Sequence, residues 1–448
     1  MSDYGEKETN MTSATTSSKE LIQSCFHWED AAVGRLAVDV LDNCVLGKMF
    51  PPQEPLRHNW IGPGGGYQGQ WLWDTMFVVD LLSIFPDTRP TIRDVFENFW
   101  DFQERWNREM PAFAHGMIAN FLQPGNLDWL KFPAYSQIPI LAWGVERVYR
   151  RNADMELVRR ALAPLEAFHD WYWRERDVTN SGLVSVGVYS QIAQTNSIGQ
   201  GNGWDPVQQA RFETFDFESS LDGLQLTSHP MRHNNGSDDK WYGDICLPGI
   251  TAYLVLAESC LARLADIAGD EAMAVRRREK AARGAEAARR YMWDEEAGLF
   301  LAVERETLKK IPVPTIGSWI PLHAEIPTAA MAARMAEAFQ TPSWQTPLPV
   351  PTVDSQNARY IADGFWRGDV WPATNYQIAD GFARYGYKAI AGDIVDKTIA
   401  NAMTNGISER YNSVTGKALG VQFLGMTCTV LSMMLDGFTE NYELKVRR

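Results

Sequence analysis

The chain contains no closely spaced pair of cysteines. Five are scattered over 448 residues, Cys25, Cys44, Cys246, Cys260 and Cys428. An odd number without zinc-type or redox-type spacing implies free thiols in a reducing compartment. Histidine is sparse as well: seven residues, of which His229 and His233 stand four apart with Pro230 between them, which breaks the helix face a metal pair would use. No metal and no cofactor are expected. With a formal net charge of −14 and no basic tract, nucleic acid and anionic membrane surfaces are not expected partners. No apolar run is long enough to span a bilayer. Residues 1–20 are rich in Ser, Thr, Glu and Lys and have no apolar signal core. The expectation is a cytoplasmic chain with a disordered tail over 1–25 and a single domain over 26–448. The sequence does not specify an oligomeric state. Pro63-Gly64-Gly65-Gly66-Tyr67 has the glycines of a phosphate loop but not its Lys-Ser/Thr ending, and reads as a flexible segment over a site.

Helical periodicity and aromatic rings are abundant. Apolar spacing predicts helices over 30–45, 74–84, 91–106, 136–151, 155–174, 247–268, 271–292, 328–339, 371–385, 389–404 and 423–435. They arrive largely as adjacent pairs, and no β-rich block is long enough for a separate domain, which points to one all-α domain built from helical hairpins. Two stretches interrupt the pattern, 179–243 and 340–363. Both are long and rich in turn residues, and both read as loops at one end of a helical barrel, where catalytic groups collect.

Aromatic residues number 17 Trp, 15 Tyr and 20 Phe, a load that favours a carbohydrate partner. The run Phe365-Trp366-Arg367-Gly368-Asp369-Val370-Trp371-Pro372 places two flat rings beside a cation, a carboxylate and a glycine. Rings stack on the apolar faces of sugars, charged groups bind hydroxyls, and glycine admits close approach. A buried, Trp-rich helix start accounts for the same run. The loop 179–243 carries Glu213, Asp216, Glu218 and Asp222 among Phe212, Phe215, Phe217 and Leu221. Partial burial there would raise a carboxylate pKa and make it a general acid. Glu409 opens a second acidic run, Glu409-Arg410-Tyr411-Asn412-Ser413-Val414-Thr415-Gly416.

Six runs, in order along most of the chain, resemble the inverting α-glycosidases of glycoside hydrolase family 63 and, more loosely, the family 37 trehalases. They are Gln70-Trp71-Leu72-Trp73-Asp74-Thr75-Met76-Phe77; Gly116-Met117-Ile118; Ser136-Gln137-Ile138-Pro139-Ile140-Leu141-Ala142-Trp143; Glu218-Ser219-Ser220-Leu221-Asp222-Gly223; the Trp366-Arg367-Gly368 run through Pro372; and Glu409 to Gly416 followed by Phe423. The resemblance implies an (α/α)6 barrel with long catalytic loops at one end. It implies an exo-acting glycosidase on a small α-linked glucoside or related glycoside, with Asp222 as general acid and Glu409 as general base. Glu218 and Asp216 compete for the first role, Glu440 for the second. By the same resemblance Trp71, Trp73, Asp74, Gln137, Trp366, Arg367, Gly368, Asp369 and Trp371 bind the sugar. The chain departs from the family where Asp222 is followed by Gly-Leu-Gln, where Ile138 replaces a proline, and where Phe423-Leu424-Gly425-Met426-Thr427 lacks a tryptophan. A sugar epimerase or isomerase on a similar toroid, which would use histidine as acid or base, and a non-catalytic glycan-binding protein are the alternatives.

Overall fold

A computed structural model describes residues 17–110, 112–125, 136–189, 232–234, 237–358 and 360–447. Thirteen α-helices stand among them. After α1 (Ser18–Cys25), twelve alternate between two rings. The outer ring is α2 (Ala31–Val40), α4 (Arg89–Glu109), α6 (Met155–Glu175), α8 (Glu271–Ala287), α10 (Ala329–Phe339) and α12 (Lys388–Asn405). The inner ring is α3 (Leu72–Leu82), α5 (Leu141–Asn152), α7 (Pro248–Ala268), α9 (Ile320–His323), α11 (Pro372–Arg384) and α13 (Thr429–Leu435). Each inner helix packs on the next, and the 3-10 turn Gly425–Cys428 closes α13 onto α3. This is an (α/α)6 barrel.

Sequence decides which ring a helix joins. All eleven residues of α3 are buried, as a helix apolar on every side must be, whereas α4 buries one face only. The starts differ too. Asp30, Asp154, Asp270 and Thr328 cap outer helices by accepting a first-turn N–H, the ordinary solution for orphan donors. Inner helices begin at Trp71, Ile140, Leu247, Trp319, Trp371 and Cys428 with no side-chain cap of their own.

The opposite end of the barrel is tied by charge. Arg147 Nη2 lies 2.8 Å from Asp80 and 2.7 Å from Asp436, and Arg151 reaches the same two carboxylates at 3.1 and 3.0 Å. This links α3, α5 and the end of α13. Around the ring, Arg263 of α7 grips Glu146 of α5 with two 2.8 Å bonds, and His323 Nδ1 stands 2.5 Å from Asp380. Burial would raise the Asp80 pKa, but the two guanidiniums outweigh it and hold the group below its ordinary value.

Several expectations are revised. The tail does not extend to residue 25: Ser17 and Glu20 form a reciprocal capping box, and Ile22 and Cys25 are buried, so 18–25 is helix. The fourth inner helix, α9, is a single turn and was not read from the sequence. Residues 136–140 are not helical, because Pro139 disfavours the α conformation in the residue before it. Helix α13 starts at Thr429 rather than 423, after Phe423 turns through φ 52°. Within 179–243, Ser185–Tyr189 and Arg232–Asn234 pair antiparallel with Ser237–Cys246. One basic run, Arg276-Arg277-Arg278, was also overlooked. Its cations are paired with Glu166, Asp170 and Asp266.

Arg147→Met combined with Arg151→Met would leave Asp80 and Asp436 in the floor without either cation. Breaking one partner of a buried pair costs about 3–5 kcal/mol, and urea denaturation should register a loss of that order.

Candidate active site

All six inner helices begin at the same mouth, and residues in or before the first turns of α3, α5, α11 and α13 line a cavity there. Its walls are Pro63, Tyr67, Trp71, Trp73, Asp74, Gln137, Ile138, Phe365, Trp366, Trp371, Glu409, Leu424 and Met426, and it encloses about 600 Å³ counted to the open mouth. Among the described residues no lysine or arginine lines it.

The first wall belongs to the start of α3. Gln70–Trp71 pairs with Phe121–Leu122, so Trp71 stacks on Phe121 at 4.6 Å and 12°. The Tyr67 ring meets Trp71 edge-on at 5.8 Å. Gln137, on the extended segment before α5, accepts the Trp73 N–H with its Oε1 at 2.9 Å. A distant side chain thus caps a first-turn donor that α3 leaves open, and the Gln137 amide nitrogen remains for a ligand. Asp74 is buried in the same turn. Burial and then the nearby Glu409 charge push its carboxyl up to about 7.

The second wall is the turn before α11. Trp366 adopts φ 53°, an uncommon conformation for a bulky residue that needs support from its surroundings. The gain is a platform: Trp366 stacks on Trp371 at 4.2 Å and 11°, with Phe365 edge-on to Trp371 at 5.6 Å.

The third element is the hairpin of Ser408–Tyr411 with Ala418–Gln422. Its register shifts between Ser408 and Arg410, and such a bulge re-aims the side chain it holds. That side chain is Glu409. Tyr67 Oη donates to Oε1 at 2.9 Å, and the Val421 N–H donates to Oε2 at 3.0 Å. Gly420 makes this fit possible: its φ is +73°, and a Cβ there would lie 2.1 Å from Glu409 Oε2.

Of the expected sugar-binding residues, Trp71, Trp73, Asp74, Gln137, Trp366 and Trp371 meet at this cavity with Glu409. Arg367, Gly368 and Asp369 stand behind its wall. At Gly368 (φ +146°) a Cβ would strike Ile361 O at 2.6 Å and the Tyr360 ring at 2.7 Å, so packing alone requires glycine there. Asp369 is fully buried, accepting from Thr352 Oγ1 at 2.9 Å and from Arg410 Nη1 at 3.2 Å. Burial pushes its carboxyl up to about 7 against the pull of Arg410. Arg410 is thus turned to Asp369 and not to Glu409, as neighbours on a strand face opposite ways. Glu440 is exposed beyond α13 and does not line the cavity. Asp222, Glu218 and Asp216 lie outside the described residues. The sequence reading missed Tyr67, although it placed the glycine segment that carries it over the site.

Residues 67–427 match the family profile of the mannosylglycerate hydrolase MGH1-like glycoside hydrolase domain. The chain belongs to that family. It is thus a glycoside hydrolase of family 63, whose characteristic course inverts the anomeric centre, and the epimerase and binding-protein alternatives fall away. The mannosylglycerate hydrolase of Thermus thermophilus is 25% identical over 406 residues, 80% of this chain and 91% of that protein. That of Rubrobacter radiotolerans is 24% identical, covering 85% and 95%. A solved family 63 mannosylglycerate hydrolase from Thermus thermophilus, in complex with glucose, superposes with TM-score 0.64 at 22% identity, covering 89% of this chain and 98% of that one. The neutral trehalase of Saccharomyces cerevisiae shares the fold, with TM-score 0.60, 15% identity and coverage of 87% and 77%.

Two experiments address the geometry of this glycoside hydrolase. Gly420→Ala should displace the Glu409 carboxylate and lower kcat ~100-fold, the scale of a 1 Å misplacement, with a loss of about 1–2 kcal/mol in urea stability from the left-handed backbone. An aspartate whose pKa is raised by folding holds its proton more tightly in the folded state. The Asp74 contribution to stability is therefore full below its ordinary pKa of 3.8 and is lost as pH rises through about 7. Asp74→Asn should gain thermal stability relative to the parent at about pH 8 more than at about pH 5. A pH-independent difference would contradict the assignment.

Proposed function

We propose that this enzyme hydrolyses a small α-glycoside of glycerate, α-mannosylglycerate first, removing one sugar from the non-reducing end with Glu409 as general base and Asp222 as general acid. The observation that carries the reading is the Glu409 carboxylate, bonded by Tyr67 and Val421 at the edge of a slot walled by Trp71, Trp366 and Trp371. The sequence resemblance favoured an α-glucoside. The relatives named as mannosylglycerate hydrolases move the proposal to the mannoside, with the glucoside as its comparison.

Charge supports the orientation. The slot holds Glu409 and Asp74 and no lining cation among the described residues, so the glycerate carboxylate is repelled and faces the mouth, while the neutral ring enters. In this reading Asp222 donates its proton to the leaving glycerate oxygen. Glu409 takes a proton from water as that water adds to the opposite face of C1. The two carboxyls stand roughly 6.5–9.5 Å apart in such chemistry, to leave room for the water. Phe212, Phe215, Phe217 and Leu221, neighbours of Asp222 in sequence, would keep the acid protonated by desolvation.

A panel of α-mannosylglycerate, α-glucosylglycerate, kojibiose and trehalose followed by NMR tests the proposal. The glycerate glycosides should turn over fastest, and the β-sugar should appear first. Glu409→Gln and Asp222→Asn should each lower kcat ~100-fold or more. Initial release of the α-sugar would remove Glu409 from the role of base, near-normal activity of Asp222→Asn would move the acid to Glu218 or Asp216, and equal rates on long polymers would contradict exo attack.

A further inference from the structure

The ion pair behind the cavity wall has no role in the chemistry described so far. Arg410 follows Glu409 on the same strand and projects away from the cavity. Its Nη1 donates to Asp369 Oδ2 at 3.2 Å and to the Asp363 carbonyl at 3.1 Å. Its guanidinium sits 5.2 Å from the centre of the Phe365 ring. All three partners belong to the turn 363–371, which holds Trp366 and Trp371. Asp369 is fixed in turn: Thr352 Oγ1 donates to its carboxylate at 2.9 Å, Thr352 N–H donates to its carbonyl at 3.0 Å, and Gly368 N–H donates to the same hydroxyl at 2.9 Å. Beside the pair, Val370 and Tyr411 exchange two backbone bonds of 2.9 Å. The strand carrying the base is thus bound to the turn carrying the stacking rings through the residue next to each.

We propose that Asp369 and Arg410 are positioning residues that set the distance between the Glu409 carboxylate and the sugar stacked on Trp366 and Trp371. The proposal rests on the reading of Glu409 as the base. Water activated by Glu409 must reach C1 of a sugar whose place the platform decides, so slack between the two elements acts on the transition state more than on sugar binding. Neither residue touches the substrate.

The test measures kcat on α-mannosylglycerate for Asp369→Asn, Arg410→Lys and the double variant, together with sugar affinity from tryptophan fluorescence. Azide serves as an external nucleophile. It needs no base: its nitrogen forms the bond to C1 as the C1–O bond breaks, the acid's proton goes to the glycerate oxygen, and the product is a β-glycosyl azide. Each single variant should lose ~10- to 100-fold in kcat and keep sugar affinity within about threefold. The double variant should lose no more than the worse single one. Azide should restore turnover in Asp369→Asn as it does in Glu409→Ala. Wild-type kcat in folded Asp369→Asn or Arg410→Lys, additive losses, or azide rescue of Glu409→Ala without rescue of Asp369→Asn would each overturn the proposal. Should Asp369→Asn fail to fold, Arg410→Lys, which keeps the charge, carries the same comparison. Undiminished kcat in Glu409→Ala would instead remove the reading of Glu409 on which the proposal stands.

Discussion

Two arginines and two aspartates decide where three of the inner helices can stand. Asp80 is 1% exposed, and a carboxylate so deep is tolerable only with cations beside it. Arg147 and Arg151 supply them from α5 and share them with Asp436 past the end of α13. A slide of one helix by a turn would separate these charges and leave Asp436 only the Tyr376 hydroxyl, which donates to it at 2.8 Å. Such a cluster adds little stability over apolar packing of the same shape, but it fixes register. Arg151 also lies in the last turn of α5, where the backbone dipole favours a cation. With the floor in register, six helix starts arrive together at the other end, and the cavity follows.

The two rings divide the work. Four of the six outer helices carry their own side-chain cap and could start in many surroundings. Inner helices leave their first N–H groups to be met from elsewhere, as Gln137 meets Trp73, so the mouth is held by contacts between elements distant in sequence. Strain gathers there as well: Trp366 and Phe423 both adopt positive φ within or beside the site. The surrounding packing must offset a cost of order 1–3 kcal/mol at each, and the return is an aromatic platform at a fixed angle.

Much of this was legible in the sequence. Long helices announced themselves by periodicity, and the resemblance to family 63 singled out Trp71, Trp73, Asp74, Gln137, Trp366, Trp371 and Glu409, which line one cavity. What escaped has local causes. Helix α9 is one turn, Ile320-Pro321-Leu322-His323, too short for any period to show. Tyr67 is a lone aromatic in a glycine segment, and its bond to Glu409 spans 342 positions. Asp369 and Arg410 were read as clamp and neighbour of the base, because adjacency says nothing about which face of a strand a side chain takes. Gly420 carries no side chain to notice, and only the position of the Glu409 carboxylate gives it meaning.

The absence of any lining cation among the described residues has a practical side. A slot with two carboxyl groups and four indoles favours positive charge over neutral sugar, and positive charge is what C1 acquires as its bond breaks. A protonated amine of sugar size imitates that moment better than any ground-state ligand does. Primary-amine buffers should therefore compete with substrate for this enzyme rather than act as inert background, and a non-amine buffer belongs in its assays.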